Sequence, residues 1–101
     1  MKTYTICGSM KYQNDMIKIA YDLEVKRGFN VLQCVYALDK NVKPTDKELK
    51  NLKKAHFLKI EKSVGIYVVN INGYIGSSVK EEIEFDKSLN KEILYHEKNV
   101  L

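Results

Sequence analysis

Short runs of strand period alternate with longer runs of helical period along this chain. Thr3 to Cys7 (TYTIC) alternates as a strand does, and Gly8-Ser9 interrupts it. A helical pattern follows from about Lys11 to Lys26. Ile17, Ala20, Tyr21, Leu23 and Glu24 trace one side of it; Lys18, Asp22 and Lys26 trace the other. Arg27-Gly28 is a helix stop. Asn30 to Cys34 predicts a second strand, and its spacing from the first permits a βαβ unit. Residues 35–43 are irregular and predict a loop. Pro44-Thr45-Asp46-Lys47-Glu48 starts the next helix, with Thr45 as N-cap and Glu48 as its capping-box partner. That helix runs to about Lys62 and carries Leu49, Leu52, His56 and Ile60 on one face.

The most informative stretch is Ile66 to Phe85. Ile66, Val68 and Val69 open it as a buried strand. Asn70, Asn72, Gly73 and Gly76 then break the pattern, as a loop with special backbone angles does. Ser77 and Ser78 are good N-cap residues, and Ser78-x-x-Glu81 predicts a capping box. In the helix that follows, Val79, Ile83, Phe85 and Leu89 define an apolar face. Glu82 falls near its centre with Asp86 close by, while Glu81 and Glu84 fall opposite. Ile93 to Tyr95 is a last strand, and the tail beyond it carries no signal.

The order β-α-β-loop-α-β-α-β predicts one α/β domain over residues 1–101. Its expected form is a small doubly wound, mainly parallel sheet of Rossmann/flavodoxin-like type, with helices on both faces. Ligands of such sheets bind outside the carboxyl ends of the strands. Gly8-Ser9 is a weak pointer to that edge by itself, since a plain strand-to-helix turn has the same composition. Together with Gly73 to Ser78, where a strand, a glycine loop and a helix N-terminus form an anion-binding corner, it makes a pair.

Composition narrows the class. Hydrophobic content of 45% with 30% charged residues belongs to an ordinary globular domain. No apolar run is long enough for a membrane span, and no leader pattern opens the chain, so a cytoplasmic protein without membrane attachment is expected. Cys7 and Cys34 lack CxxC spacing and read as reduced thiols, with an inert buried thiol the default for Cys7. His56 and His96 make no ligand cluster with them in the sequence, so no metal is expected, and no cofactor is implied. The net charge of +4 favours anionic ligands, nucleotides among them. The lysines are spread along the chain, so nucleic-acid binding is the weaker reading, and Lys47 to Lys54 reads as a solvated helix face.

Two residues stand out chemically. Glu82 is a carboxylate aimed inward just behind a glycine loop, where solvation is poor. It is either a catalytic group or a half-buried glutamate satisfied by a lysine or by loop amides. His56 is directed toward the sheet or a cleft, as a hydrogen-bonded core residue or as a functional one.

Cys7-Gly8-Ser9-Met10, His56-x-x-Lys59-Ile60, Tyr67-Val68-Val69-Asn70, Gly73-Tyr74-Ile75-Gly76-Ser77-Ser78 and Glu82-Ile83 together resemble the nucleoside 2-deoxyribosyltransferase-like superfamily. The likeness is greatest to its small bacterial and phage members and more distant to the 2'-deoxynucleoside 5'-phosphate N-hydrolases. It runs through nearly the whole chain and is most specific from Gly73 to Ile83. The resemblance implies a nucleoside or nucleotide ligand and a glutamate nucleophile, at the position of Glu82, that attacks the anomeric carbon of a (deoxy)ribosyl group. The sugar then passes to another base or to water. The same resemblance implies that Cys7, Gly8, Ser9, Met10, Asn70, Gly73 and Tyr74 lie around the substrate, and that Gly76, Ser77 and Ser78 face a phosphate. It also implies a homodimer or higher homo-oligomer whose neighbouring subunit completes the pocket. The chain departs from the family in two places. His56 stands where the better-known enzymes have an aspartate that positions the sugar or protonates the base, and a histidine can donate a proton near neutral pH. Ser63-Val64-Gly65 stands where an aspartate often precedes the third strand. A non-catalytic nucleotide-binding or sensing module on the same fold is therefore the alternative expectation.

Overall fold

The computed structural model describes residues 1–39 and 41–98; Lys40, in the expected loop, and residues 99–101 of the tail lie outside that description. Strand β1 (Thr3–Gly8), helix α1 (Gln13–Val25), β2 (Asn30–Leu32), α2 (Asp46–Glu61), β3 (Gly65–Val69), α3 (Ser77–Ser88) and β4 (Glu92–Tyr95) follow in the predicted order. The strands pair in the order β2-β1-β3-β4, all parallel, with Tyr4 beside Val31, Ile6 beside Tyr67 and Val68 beside Tyr95. This is a small doubly wound α/β sheet of flavodoxin-like order. The chain reverses its winding between β1 and β3, and their carboxyl ends flank the crevice where such sheets take ligands.

Alternate residues of each strand serve opposite layers, because side chains change face at every step. Tyr4 and Ile6 of β1 and Tyr67 and Val69 of β3 pack with Met16, Ala20 and Leu23 of α1. Cys7, Ile66 and Val68 pack instead with Ile60 of α2 and with Val79 and Ile83 of α3. Thr5 also lies on this second side, where its hydroxyl bonds that of Ser63 at 2.6 Å. At Gly65 only a hydrogen fits, since a Cβ would meet the Glu92 carbonyl oxygen at 2.1 Å.

Several local expectations change. Helix α1 starts later than its pattern, after a 3-10 turn at Met10–Tyr12. Its buried stripe is Met16, Ala20 and Leu23, at helical steps of four and three, so Ile17 and Tyr21 face outward. Strand β2 ends at Leu32, before Cys34. The capping box of α2 is present on both arms: Glu48 N–H donates to Thr45 Oγ1 at 3.2 Å, and Thr45 N–H to Glu48 Oε1 at 2.8 Å. The box expected at α3 is not. Gly76 is its N-cap, no side chain caps it, and Ser77 and Ser78 are already helical. On α2, Leu49 and Leu52 are exposed and only Ile60 is fully buried, because the first half of the helix reaches past the packed layer. Lys91, which carried no signal in the sequence, donates its ammonium to the carbonyls of Ile60 (3.1 Å), Ser63 (2.6 Å) and Glu61, closing the C-terminus of α2. Among the described residues no helix is long and apolar enough to cross a membrane.

Candidate functional site

A cavity of ≈ 410 Å³ opens above the carboxyl end of β1, between α2 and α3. Gly8 and Met10 contribute the strand edge, His56 the α2 wall, and Ser78 and Glu82 the α3 wall. Five residues named from the sequence therefore meet around one space. Phe57 and Phe85 set the two helices against each other with rings stacked at 4.7 Å between centroids. This stacking places His56 and Glu82 side by side. The His56 and Glu82 side chains are 11% and 15% exposed, and His56 Nε2 lies 3.3 Å from Glu82 Oε1. Glu81 and Glu84 point outward at 56% and 75% exposure, as the helical period requires.

Cys7 lies beneath this pair, buried, with Sγ 3.4 Å from the same His56 Nε2. The expectation that no ligand cluster forms is thus corrected: Cys7, His56 and Glu82 present three donor atoms within 4.8 Å of one another. Sequence spacing hid this because the three come from β1, α2 and α3. Burial, then the neighbouring Glu82, pushes the Cys7 thiol well above its usual range, so it is a neutral thiol and not a ready nucleophile. Glu82 Oε1 and His56 Nδ1 are buried with no hydrogen-bond partner among the described residues.

One turn on from Glu82, Asp86 is fully buried in the same layer, deeper than the sequence pattern placed it. Neither of its oxygens has a hydrogen-bond partner among the described residues. Burial pushes its pKa up to about 6, against a lowering pull from Lys91.

The remaining sequence candidates divide. Ser9 precedes the 3-10 turn of Met10–Tyr12. Gly76 and Ser77 form the start of α3 beside the cavity wall. Asn70, by contrast, is engaged within the fold. Its side-chain amide donates to Glu97 O at 3.0 Å, and its oxygen accepts from Glu97 N–H at 2.8 Å, so both ends are occupied in a buried position. Gly73 and Tyr74 likewise lie outside the cavity lining. Gly73 turns the chain at φ 79°, and the Tyr74 ring carries the Lys11 ammonium at 3.4 Å from its centroid. Lys53, and Lys59 of the His56-x-x-Lys59 motif, are not among the sequence candidates for the site, yet both line the cavity one helical turn either side of His56. Lys53 pairs with Glu81 at 2.6 Å, and Lys59 donates to Gln33 O at 2.8 Å. Their spacing of three from His56 was the available signal.

The site thus combines a sheltered carboxylate beside an imidazole, two lysines and a helix N-terminus with no side-chain cap and no acidic residue in its first turn. Such an arrangement suits an anionic ligand whose reacting carbon is brought to Glu82. Comparison with protein-family models, curated proteins and solved structures finds no match to this chain.

Proposed function

We propose that the protein cleaves or transfers the N-glycosidic bond of a nucleoside or nucleoside 5'-monophosphate, with Glu82 as nucleophile, in the manner of the nucleoside 2-deoxyribosyltransferase-like superfamily that its sequence resembles. The observation that carries this reading is the position of Glu82 at the wall of the cavity, beside the first turn of α3 and 3.3 Å from His56 Nε2. In the reaction, a Glu82 oxygen bonds the anomeric carbon as the carbon–nitrogen bond to the base breaks. The electron pair of that bond leaves with the base, which takes up a proton from solvent. The resulting glycosyl ester is opened by water or by a second base, which restores the carboxylate. His56 holds the carboxylate from one side, and Lys53, Lys59 and the amides of Ser77 and Ser78 offer charge and donors to a phosphate.

A second copy of the chain is part of this proposal. Leu49 and Leu52 line the cavity from the exposed half of α2, an apolar wall that a neighbouring subunit would cover. Sedimentation velocity reads that state directly.

The second reading, a nucleotide-binding module without turnover, is favoured by two observations. Glu81, the second glutamate at the cavity, is engaged by Lys53, and a histidine stands where the resembling enzymes use an aspartate. The test is a panel of ribo- and deoxynucleosides and their 5'-monophosphates, with and without an acceptor base, followed by chromatography of the free base. Base release supports the glycosidic reading, and acceptor dependence separates transfer from hydrolysis. Saturable binding without release from any substrate would move the assignment to the binding module.

A further inference from the structure

We propose that Cys7, His56 and Glu82 form a site for one Zn²⁺ ion, held by Cys7 Sγ, His56 Nε2 and a Glu82 carboxylate oxygen, with a fourth position open to the cavity. The argument starts from which atoms converge. In a nucleophile–base–acid relay a histidine uses its two ring nitrogens on two different partners. Here the thiol and the carboxylate both approach Nε2, at 3.4 and 3.3 Å, while Nδ1 touches no hydrogen-bond partner among the described residues. Three donor atoms this close to one another are near enough to share one ion.

The distances agree with the proposed ion. Tetrahedral zinc with bonds of about 2.3 Å to sulfur and about 2.0–2.2 Å to nitrogen and oxygen sets its ligand atoms roughly 3.4–3.6 Å apart. Two of the three edges already lie within a few tenths of an ångström of that range, and all three donors lie within 4.8 Å. The donor set of thiolate, imidazole and carboxylate is of the borderline kind that zinc takes, and three protein ligands with an open position is its catalytic rather than its structural pattern. His56 and Glu82 line the cavity, so the open position faces it.

Binding balances simply: the Cys7 S–H bond breaks, its electron pair goes to the metal and its proton leaves to solvent. A divalent cation between Cys7 and Glu82 lets thiolate and carboxylate share one positive centre. The inference does not rest on the glycosidic reading. Zn²⁺ would occupy the carboxylate that reading needs, so base release is assayed with a chelator present and metal binding is read by absorption without substrate. Either result can then fail alone.

The experiment treats the full chain with chelator, removes the chelator, and titrates Co²⁺ as the spectroscopic probe, followed by Zn²⁺. Expected are ligand-field bands and a thiolate-to-cobalt charge-transfer band that saturate at one equivalent, with stoichiometric displacement by Zn²⁺. Cys7→Ser should lose the charge-transfer band and Cys34→Ser should keep it. His56→Gln should weaken binding by more than about 100-fold, the upper end of what losing even an outer-shell partner costs. Circular dichroism checks each variant for folding; if Cys7→Ser does not fold, His56→Gln decides. No saturation at one equivalent, a charge-transfer band that survives Cys7→Ser, or unchanged affinity in His56→Gln overturns the proposal.

Discussion

The two faces of the sheet are made from alternate residues of the same strands, yet they differ in kind. Toward α1, β1 and β3 send Tyr4, Ile6, Tyr67 and Val69 into an apolar layer completed by Met16, Ala20 and Leu23. Toward α2 and α3 the same strands send Thr5, Cys7, Ile66 and Val68, and the helices answer with Ile60, Val79 and Ile83 but also with His56, Glu82 and Asp86. The first face is mainly hydrophobic burial, its two tyrosine hydroxyls bonded to Glu92 and His96 at its margin. The second gives up part of that burial to keep polar groups out of water. Groups so placed, Asp86 among them with no donor to either oxygen among the described residues, are where function concentrates in a small domain.

The contrast can be broken most severely on the apolar side. Met16 is fully buried there, with its sulfur close over Gly8. Met16→Ala is expected to cost about 2–5 kcal/mol of folding stability, read by urea denaturation, because the cavity cannot collapse onto a sheet. What remains folded should keep the site.

On the polar side the expected sign is opposite. Asp86 has a pKa pushed from 3.8 to about 6 in the folded protein. Between those values the folded chain holds more protons than the unfolded chain, so this group makes stability fall as pH rises through that window. Asp86→Asn should flatten the slope and raise stability at neutral pH by roughly 1–3 kcal/mol, seen as a higher melting temperature. A variant that lost stability at pH 7 would mean that the charge is compensated there.

The helix starts sharpen the same comparison at smaller scale. Thr45 closes α2 with a capping box, whereas α3 begins at Gly76 with no side-chain cap. Thr45→Ala should cost about 1 kcal/mol, and Ser78→Ala close to nothing, in paired thermal melts. An equal cost would show that α3 is capped in solution and that its amides are not free for a ligand. Smallest of all is the exposed pair Lys53–Glu81. Glu81→Gln should change stability by less than about 1 kcal/mol while freeing the Lys53 charge at the cavity.

The elements, their order and the parallel sheet were legible in the sequence, because strand and helix periods are local signals and the α2 box is a local motif. Glu82 was legible for the same reason: a carboxylate at the centre of an apolar helix face has one physical meaning, that it points inward. The phase of α1 was not, since Ile17 and Tyr21 are as apolar as Met16 and only tertiary packing chooses among them. Asn70 looked like a ligand-facing loop residue, but its partner is the backbone of Glu97, 27 positions away. The approach of Cys7 to His56 joins β1 to α2 across 49 positions, beyond any spacing rule.

The measurement that tests the account most directly compares the wild-type protein with Glu82→Gln in the base-release assay, with chelator present and circular dichroism on both. The exchange keeps the side chain's shape and removes its nucleophilic charge. The account predicts free base from the wild type and a loss of at least about 100-fold in the folded variant, since the covalent step then has no carboxylate. Undiminished release from Glu82→Gln would contradict it.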